Sequence, residues 1–278
     1  NGIFFHNLVL VNSDCYQCGR LPRWLIPQVQ IRQLTEMEWI VSMSKLDYCG
    51  TELDVFIHAK NWKKYWASAI KPYLGDNVLD VGAGIGATAS NLNIKKYNRW
   101  VELEPDNNLT SRIEESQRRG EIPPHFEIRN GTSNDLGADE IFDTILYIDV
   151  LEHIKEDAEE LLNVSKNLTI NGHLIIVAPA HNFLFTEFDR QIGHFRRYDK
   201  KSLISITPEK FEIVKLCYLD SVGMIASLAN KLILKSGSPK ISQIKLWDKL
   251  MVRASRVVDG ILFHRVGKSI VCILRKVA

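Results

Sequence analysis

From about residue 60 onward, hydrophobic and polar positions fall into two alternating patterns. Short runs rich in β-branched and aromatic residues end in Gly, Asp, Asn or Pro, and amphipathic stretches separate them. The runs predict strands at Asn77–Val81, Arg99–Leu103, His125–Arg129, Thr144–Ile148 and His173–Val177, then at Phe211–Leu219 and Ser269–Leu274. Helices are expected over Ala87–Ile94, Leu109–Arg119, Lys155–Leu168 and Lys201–Ile206. Strands alternating with helices imply an α/β protein with a doubly wound, parallel sheet. Several strands are continuously apolar, as both-face burial requires.

The flanks behave differently. Residues 1–44 show no clean period and read as an N-terminal extension, with a helix expected over Gln28–Met43. Residues 45–278 read as one domain. Asp54–Ile70 reads as one helix carrying Phe56, Trp62, Tyr65, Trp66 and Ile70 mostly on one core-facing side, ended by Pro72. Late in the chain, Val222–Leu234 and Ile241–Phe263 are helical by period. In the second, Ile244, Trp247, Leu250, Met251, Ala254, Val257, Val258 and Ile261 recur every three or four residues. Packing of that stripe over the domain is the favoured expectation. A lid, a homodimer face or a lipid-contacting surface are the alternatives.

Composition narrows the class. Hydrophobic residues are 45% and charged residues 24% of 278, a globular mixture. Thirty-five Lys+Arg against 33 Asp+Glu give +2, too balanced to imply a nucleic-acid partner. No apolar run approaches the roughly 18 residues of a membrane span. Five scattered cysteines do not form a disulfide framework, and the Cys15/Cys18 pair lacks the second pair of a zinc site, so no metal is expected. Sequons begin at Asn108, Asn130, Asn163 and Asn167, but Asn130 falls in a turn that could line a cofactor, and a glycan there would obstruct it. A cytoplasmic location is therefore expected.

The most informative stretch is Val78–Ala89, VLDVGAGIGATA, where a strand runs into Gly82, Gly84 and Gly86 and a helix opens near Thr88. Glycines permit the tight turn and close approach of a ligand. The spacing also satisfies a relaxed dinucleotide fingerprint, which keeps an NAD(P)-dependent oxidoreductase as an alternative. Asp80 argues otherwise. A carboxylate here repels a pyrophosphate but suits the sulfonium and ammonium of S-adenosyl-L-methionine. Glu104, ending the second strand, can accept hydrogen bonds from both ribose hydroxyls, with Glu102 as its rival. Asn130-Gly131-Thr132-Ser133 forms a turn that could border the adenine ring or be a plain turn.

In this order, Asp80–Gly86, Glu104 and FDTILYIDVLEHI (Phe142–Ile154) resemble class I S-adenosylmethionine-dependent methyltransferases. The stretch Ala178–Leu203, with its GHFRRY, looks like a bacterial subgroup of them. The resemblance covers roughly Leu46–Ala278. It implies a Rossmann-like seven-stranded sheet, mostly parallel with an antiparallel last strand, and a helical insertion (221–263) before that strand. It also implies a cofactor site of Asp80, Gly82, Gly84, Gly86, Glu104, Thr132, Ser133, Asp149 and Val150. Acceptor-side groups must come from loops after the fourth and fifth strands. His194 is the first candidate for general base and Asp149 the second. His153, His181, Arg196, Arg197 and Tyr198 are candidate acceptor contacts, the guanidiniums suiting an anionic group. The competing reading of that loop is a set of internal ion pairs. The expected activity is methylation of a small or carrier-linked metabolite, such as a saccharide or lipid precursor, and a non-catalytic cofactor-binding protein is the remaining alternative.

Overall fold

The computed structural model describes residues 52–92, 97–231 and 239–278. The chain divides into two units, Asn1–Ser44 and Lys45–Ala278, and every described residue belongs to the second. The expected helix Gln28–Met43, the Cys15/Cys18 pair and the ends of two other expected helices (residues 93–94 and 232–234) lie outside the described residues.

Seven strands form one sheet: β1 (Asn77–Val81), β2 (Arg99–Glu104), β3 (Glu127–Asn130), β4 (Phe142–Ile148), β5 (Leu168–Pro179), β6 (Phe211–Leu219) and β7 (Ser269–Lys276). Their order is β3-β2-β1-β4-β5-β7-β6. β1 to β5 pair in parallel, whereas β7 runs antiparallel to both β5 and β6. The Rossmann-like sheet of the expectation is thus present, including its antiparallel last strand. The order reverses between β1 and β4, so the crevice above their carboxyl ends is where such a sheet binds ligand.

Alternate residues of the central strands feed two cores. Val78, Leu146, Ile175 and Val271 face one layer, which includes Trp62, Trp66 and Trp100. Leu79, Tyr147, Ile176 and Ile270 face the other, with Leu161 and Leu203 from covering helices. This two-sided burial explains the continuous apolar runs.

Several boundaries differ from expectation, and three of them have a visible reason. The expected His125–Arg129 strand begins at Glu127, because Phe126 closes a turn by donating its N–H to Pro123 O. The expected Lys155–Leu168 helix is Asp157–Val164, and Leu168 opens β5 by pairing with Phe142. The expected Asp54–Ile70 helix is two helices, Glu52–Phe56 and Lys60–Ile70. The second has no side-chain cap of its own. Asp248 of the insertion supplies one instead, accepting from the N–H groups of Asn61 (3.0 Å) and Trp62 (2.8 Å).

Candidate active site

The β1 turn meets the requirements of a close-approach loop. Gly82, Gly84 and Gly86 adopt φ of 66°, 61° and 72°. A Cβ on Gly82 would lie 2.7 Å from both methyls of Val150, and one on Gly86 2.5 Å from Ile122. Gly84 is different, since a Cβ there would meet nothing closer than 3.7 Å. The turn is therefore clamped at its ends and open at its middle. Val150 belongs to the turn after β4, so this packing joins the two crevice-forming loops.

Glu104, 5% exposed, is fixed at the rim, where Oε2 accepts from Gly84 N–H (2.7 Å) and Oε1 from Asp106 N–H (2.9 Å). Each oxygen keeps an unused lone pair, so the carboxylate can still receive two hydroxyls. Behind it, Asp80 and Glu102 lie opposite each other on β1 and β2, both buried. Each has one oxygen without a hydrogen-bond partner, and a single proton between them would satisfy both. Burial raises Asp80 to about 7 and drives Glu102 well above its ordinary value, with the neighbouring Asp80 charge adding to the effect. Glu102 is thus the support beneath Asp80.

Thr132 and Ser133 are held by local contacts. Thr132 forms a reciprocal capping box with Asp135. Ser133 is buried and donates to Glu160 (2.8 Å), which also accepts from Tyr147.

On the acceptor side, the two sequence elements singled out after β4 and β5 are hydrogen-bonded together. Phe195 N–H donates to Glu152 O, Tyr198 OH to Leu151 O and Arg196 to Lys155 O. Gly193, at φ 85°, abuts His153. The result is a cluster in which His153 and His194 meet edge to face at 4.5 Å. His194 Nδ1 lies 3.1 Å from Asp189 Oδ1, and Nε2 lies 3.7 Å from Glu152 Oε1. Asp189 is a strong anchor. Arg197 grips it bidentately, and although burial opposes ionisation, the bonds from His194, Arg197 and Thr186 hold its carboxyl down at about 2. A donor bond from Nδ1 to this carboxylate leaves His194 Nε2 as the ring's basic atom. Burial, aided by His194, lowers His153 to about 4, so it is neutral near pH 7.

Asp149 directly follows β4 with a left-handed backbone, φ 56°. Asp149 is exposed as a residue. Desolvation raises it to about 6, against the pull of His194, Lys268 and Lys63. Sequence reasoning missed those two lysines, as well as Glu152 as a buried group and Asp189 as the anchor of His194. Lys63 was hidden in an amphipathic helix. Lys268 precedes β7, where its ammonium sits 3.8 Å over the Trp247 ring.

The remaining candidates are placed apart from Asp149 or engaged elsewhere. Arg196 pairs with Asp157 (2.6 Å) and Arg197 with Asp189, the ion-paired arrangement kept open in the sequence. Tyr198 is 1% exposed and donates to Asp157 (2.7 Å), making it a pillar of the loop. His181, at φ 65° after β5, packs between Phe183 and Tyr218.

Among the described residues, Glu152, His153 and His194 also offer one ligand atom each within 4.8 Å of one another, a spacing a metal ion could use. The glycine turn, open at Gly84 and flanked by Asp80 and Glu104, fits S-adenosylmethionine, which presents hydroxyls and cationic groups and no phosphate.

Comparison with known proteins agrees. Residues 58–210, more than half of the chain, match the sequence family described as "Methyltransferase domain". No curated protein is matched by the chain in sequence. Among solved structures the chain is similar to a SAM-dependent methyltransferase from Archaeoglobus fulgidus (15% identity, 78% of this chain and 94% of that one, TM-score 0.53). It is also similar to coclaurine N-methyltransferase bound to N-methylheliamine and SAH (16%, 77% and 72%, TM-score 0.54). A third, SpnF, is named as a cyclase (14%, 77% and 81%, TM-score 0.54). At these identities the likeness carries the fold alone. The family match carries more: the chain belongs to the methyltransferase-domain family, with S-adenosylmethionine as its cofactor and methyl transfer as its activity.

Proposed function

We propose that the enzyme methylates a small or carrier-linked metabolite seated over Asp149, and that His194 Nε2 accepts the proton the acceptor loses. The observation that carries this reading is the Asp189–His194 contact, which orients an imidazole whose charge reaches Asp149 after β4. Asp80, Gly82, Gly84, Gly86, Glu104, Asp149 and Val150 would hold S-adenosylmethionine, with Thr132 and Ser133 bordering its base. When bound, the cofactor supplies an electrophilic methyl group, so the protein's task is to position the acceptor and exclude water. Asp149 and His153 face the acceptor. Arg196, Arg197 and Tyr198 hold the loop that presents His194. An anionic acceptor, of the saccharide or lipid-precursor class, is supported by Lys63 and Lys268, whose positive charges both reach Asp149. The bonds joining DVLEHI to GHFRRY support reading them as the joint mark of one bacterial subgroup. Two buried cysteines, Cys217 and Cys272, are free thiols, which suits a cytoplasmic enzyme.

A second reading has its own observation. Both oxygens of buried Glu152 lack a hydrogen-bond partner, which favours a divalent cation held by Glu152, His153 and His194. One experiment separates the two. Methyl transfer from labelled S-adenosylmethionine is measured over a panel of sugar phosphates and lipid precursors, with S-adenosylhomocysteine affinity read by calorimetry. His194→Ala is expected to keep that affinity within about twofold and to lower kcat by roughly 10²–10⁴. Undiminished turnover would overturn the assignment of His194. Loss of activity on chelation, restored by added metal, would select the second reading.

A further inference from the structure

The helix Ile241–Leu246, the π turn Trp247–Met251 and the helix Val252–Ile261 form one continuous rod of roughly 30 Å, at 1.5 Å per residue. Its buried face is Ile244, Trp247, Asp248, Val252, Ser255 and Asp259. Part of the apolar stripe therefore points outward, with Leu250 57%, Val257 66% and Ile261 69% exposed, and Leu246 beside it is 53% exposed. Phe263, just past the end, is 79% exposed. These residues succeed one another mostly at intervals of a helical turn or two, so they form one ridge and not scattered surface contacts.

Beside this ridge run Lys245, Lys249, Arg253 and Arg256, all exposed. Arg265 continues the row beyond the rod. None of the five pairs with a carboxylate among the described residues. The only acidic residues from 241 to 265, Asp248 and Asp259, are buried and accept hydrogen bonds inside the domain. Residues 241–265 thus present five exposed cations and no exposed anion, in a chain whose total is only +2.

We propose that this face docks on an anionic lipid bilayer. An apolar ridge flanked by a row of Lys and Arg is the layout of a helix lying in the interface, with aliphatic side chains at the acyl boundary and cations among the headgroups. The charge chooses the occupant. A second copy of this face would bring ten cations together, whereas a headgroup layer supplies the missing anions. The rod does not insert, since its other face is part of the domain and no described helix is long and apolar enough to cross a membrane. Docking here is independent of which acceptor the active site takes.

The test uses the whole chain and vesicles of phosphatidylcholine with or without about one-third phosphatidylglycerol, read by sedimentation. Binding is expected to require the anionic lipid and to weaken with added salt. Replacing Lys245, Lys249 and Arg253 together by Gln is expected to lower partitioning roughly a hundredfold, at about fivefold per cation. Leu250→Ser with Ile261→Ser is expected to lower it at least tenfold. These positions are exposed, and unchanged S-adenosylhomocysteine affinity confirms an intact fold, so failure to bind vesicles is distinct from failure of the enzymatic reading. Equal binding to neutral and anionic vesicles would overturn the proposal. So would no vesicle binding together with a dimer in light scattering that the same substitutions dissolve, which would give the face to a second copy.

Discussion

Asp149 combines a left-handed backbone with a carboxyl raised to about 6 by its surroundings, two departures at one position. A carboxylate that orients acceptor or cofactor must be ionised, so activity is expected to fall as pH drops through about 6. Asp149→Asn tests this, because Asn tolerates left-handed backbone and removes only the charge. The acid limb of the KM profile should vanish with it, because orienting the acceptor or cofactor is separate from the proton acceptance assigned to His194, and kcat should be reduced at every pH. A profile still falling near pH 6 would place the titration elsewhere. Asp149, Asp80, the three glycines and Glu104 were legible in the sequence, because a strand running into a Gly-rich turn fixes where the next strand ends and which loops border the cleft. Glu152, Asp189 and Lys268 were not. Their roles come from burial and from partners 5 to 48 residues away, such as His194 beside Asp189 and Asp220 beside Lys268. An acid early in a helix looks like a solvated cap until the opposing loop is in place.

At the scale of elements, strands could be read because hydrophobic runs buried on both faces have few other destinations. The insertion shows where that logic stops. The expected stripe along Ile241–Phe263 assumed one constant helical period, and the π turn at Trp247–Met251 takes an extra residue into its ring. Beyond it, the buried face carries Ser255 and Asp259 while Val257 and Ile261 turn outward. Periodicity cannot see this, because a buried aspartate and a solvated one have the same letter. What holds the rod is polar. Asp220 accepts from Trp247 Nε1 (2.7 Å) and Ser255 Oγ (2.6 Å), and Asp259 accepts from Tyr65 OH (2.8 Å) and from the N–H groups of Asp220 and Ser221. Asp248 caps Lys60–Ile70 across a separation of 187 residues. Asp248→Ala leaves two helix N–H groups without their acceptor and is expected to destabilise the protein by about 2 kcal/mol. Asp248→Asn, which keeps one acceptor oxygen, should cost less. Denaturant titration measures both, and a change under about 0.5 kcal/mol for the alanine variant would mean the cap is dispensable.

Across the whole molecule, shifted groups of opposite sign set how stability depends on pH. Hydrogen bonds and arginine contacts hold Asp189 and Glu140 at about 2, so the stability they contribute is present above the ordinary carboxylate range and lost as pH falls through about 2. His153, lowered to about 4 by burial, binds fewer protons folded than unfolded between there and about 6.5, so stability rises with pH over that interval. The crevice carboxyls act the other way. Asp80 at about 7, with Glu102 and Glu152 well above their ordinary range, keep protons that the unfolded chain has released, and folding weakens as pH rises through their range. Above about pH 6.5 the histidine effect is exhausted while that of the carboxyls continues. Tm is therefore expected to fall between about pH 6.5 and about pH 8.5. One retained proton changes stability by about 1.4 kcal/mol per pH unit, or roughly 3–5 °C in a domain of this size. Glu102→Gln isolates the Asp80 pair. Its amide oxygen can accept from Trp100 Nε1 as Glu102 does at 3.0 Å, and its amide nitrogen can donate to Asp80 without a shared proton. The variant should show a shallower decline and a higher Tm at about pH 8.5, while matching the parent near pH 5. A parent Tm that rises over this window would show that the crevice carboxyls are ionised in the folded protein, and the shared proton beneath the glycine turn would have to be given up.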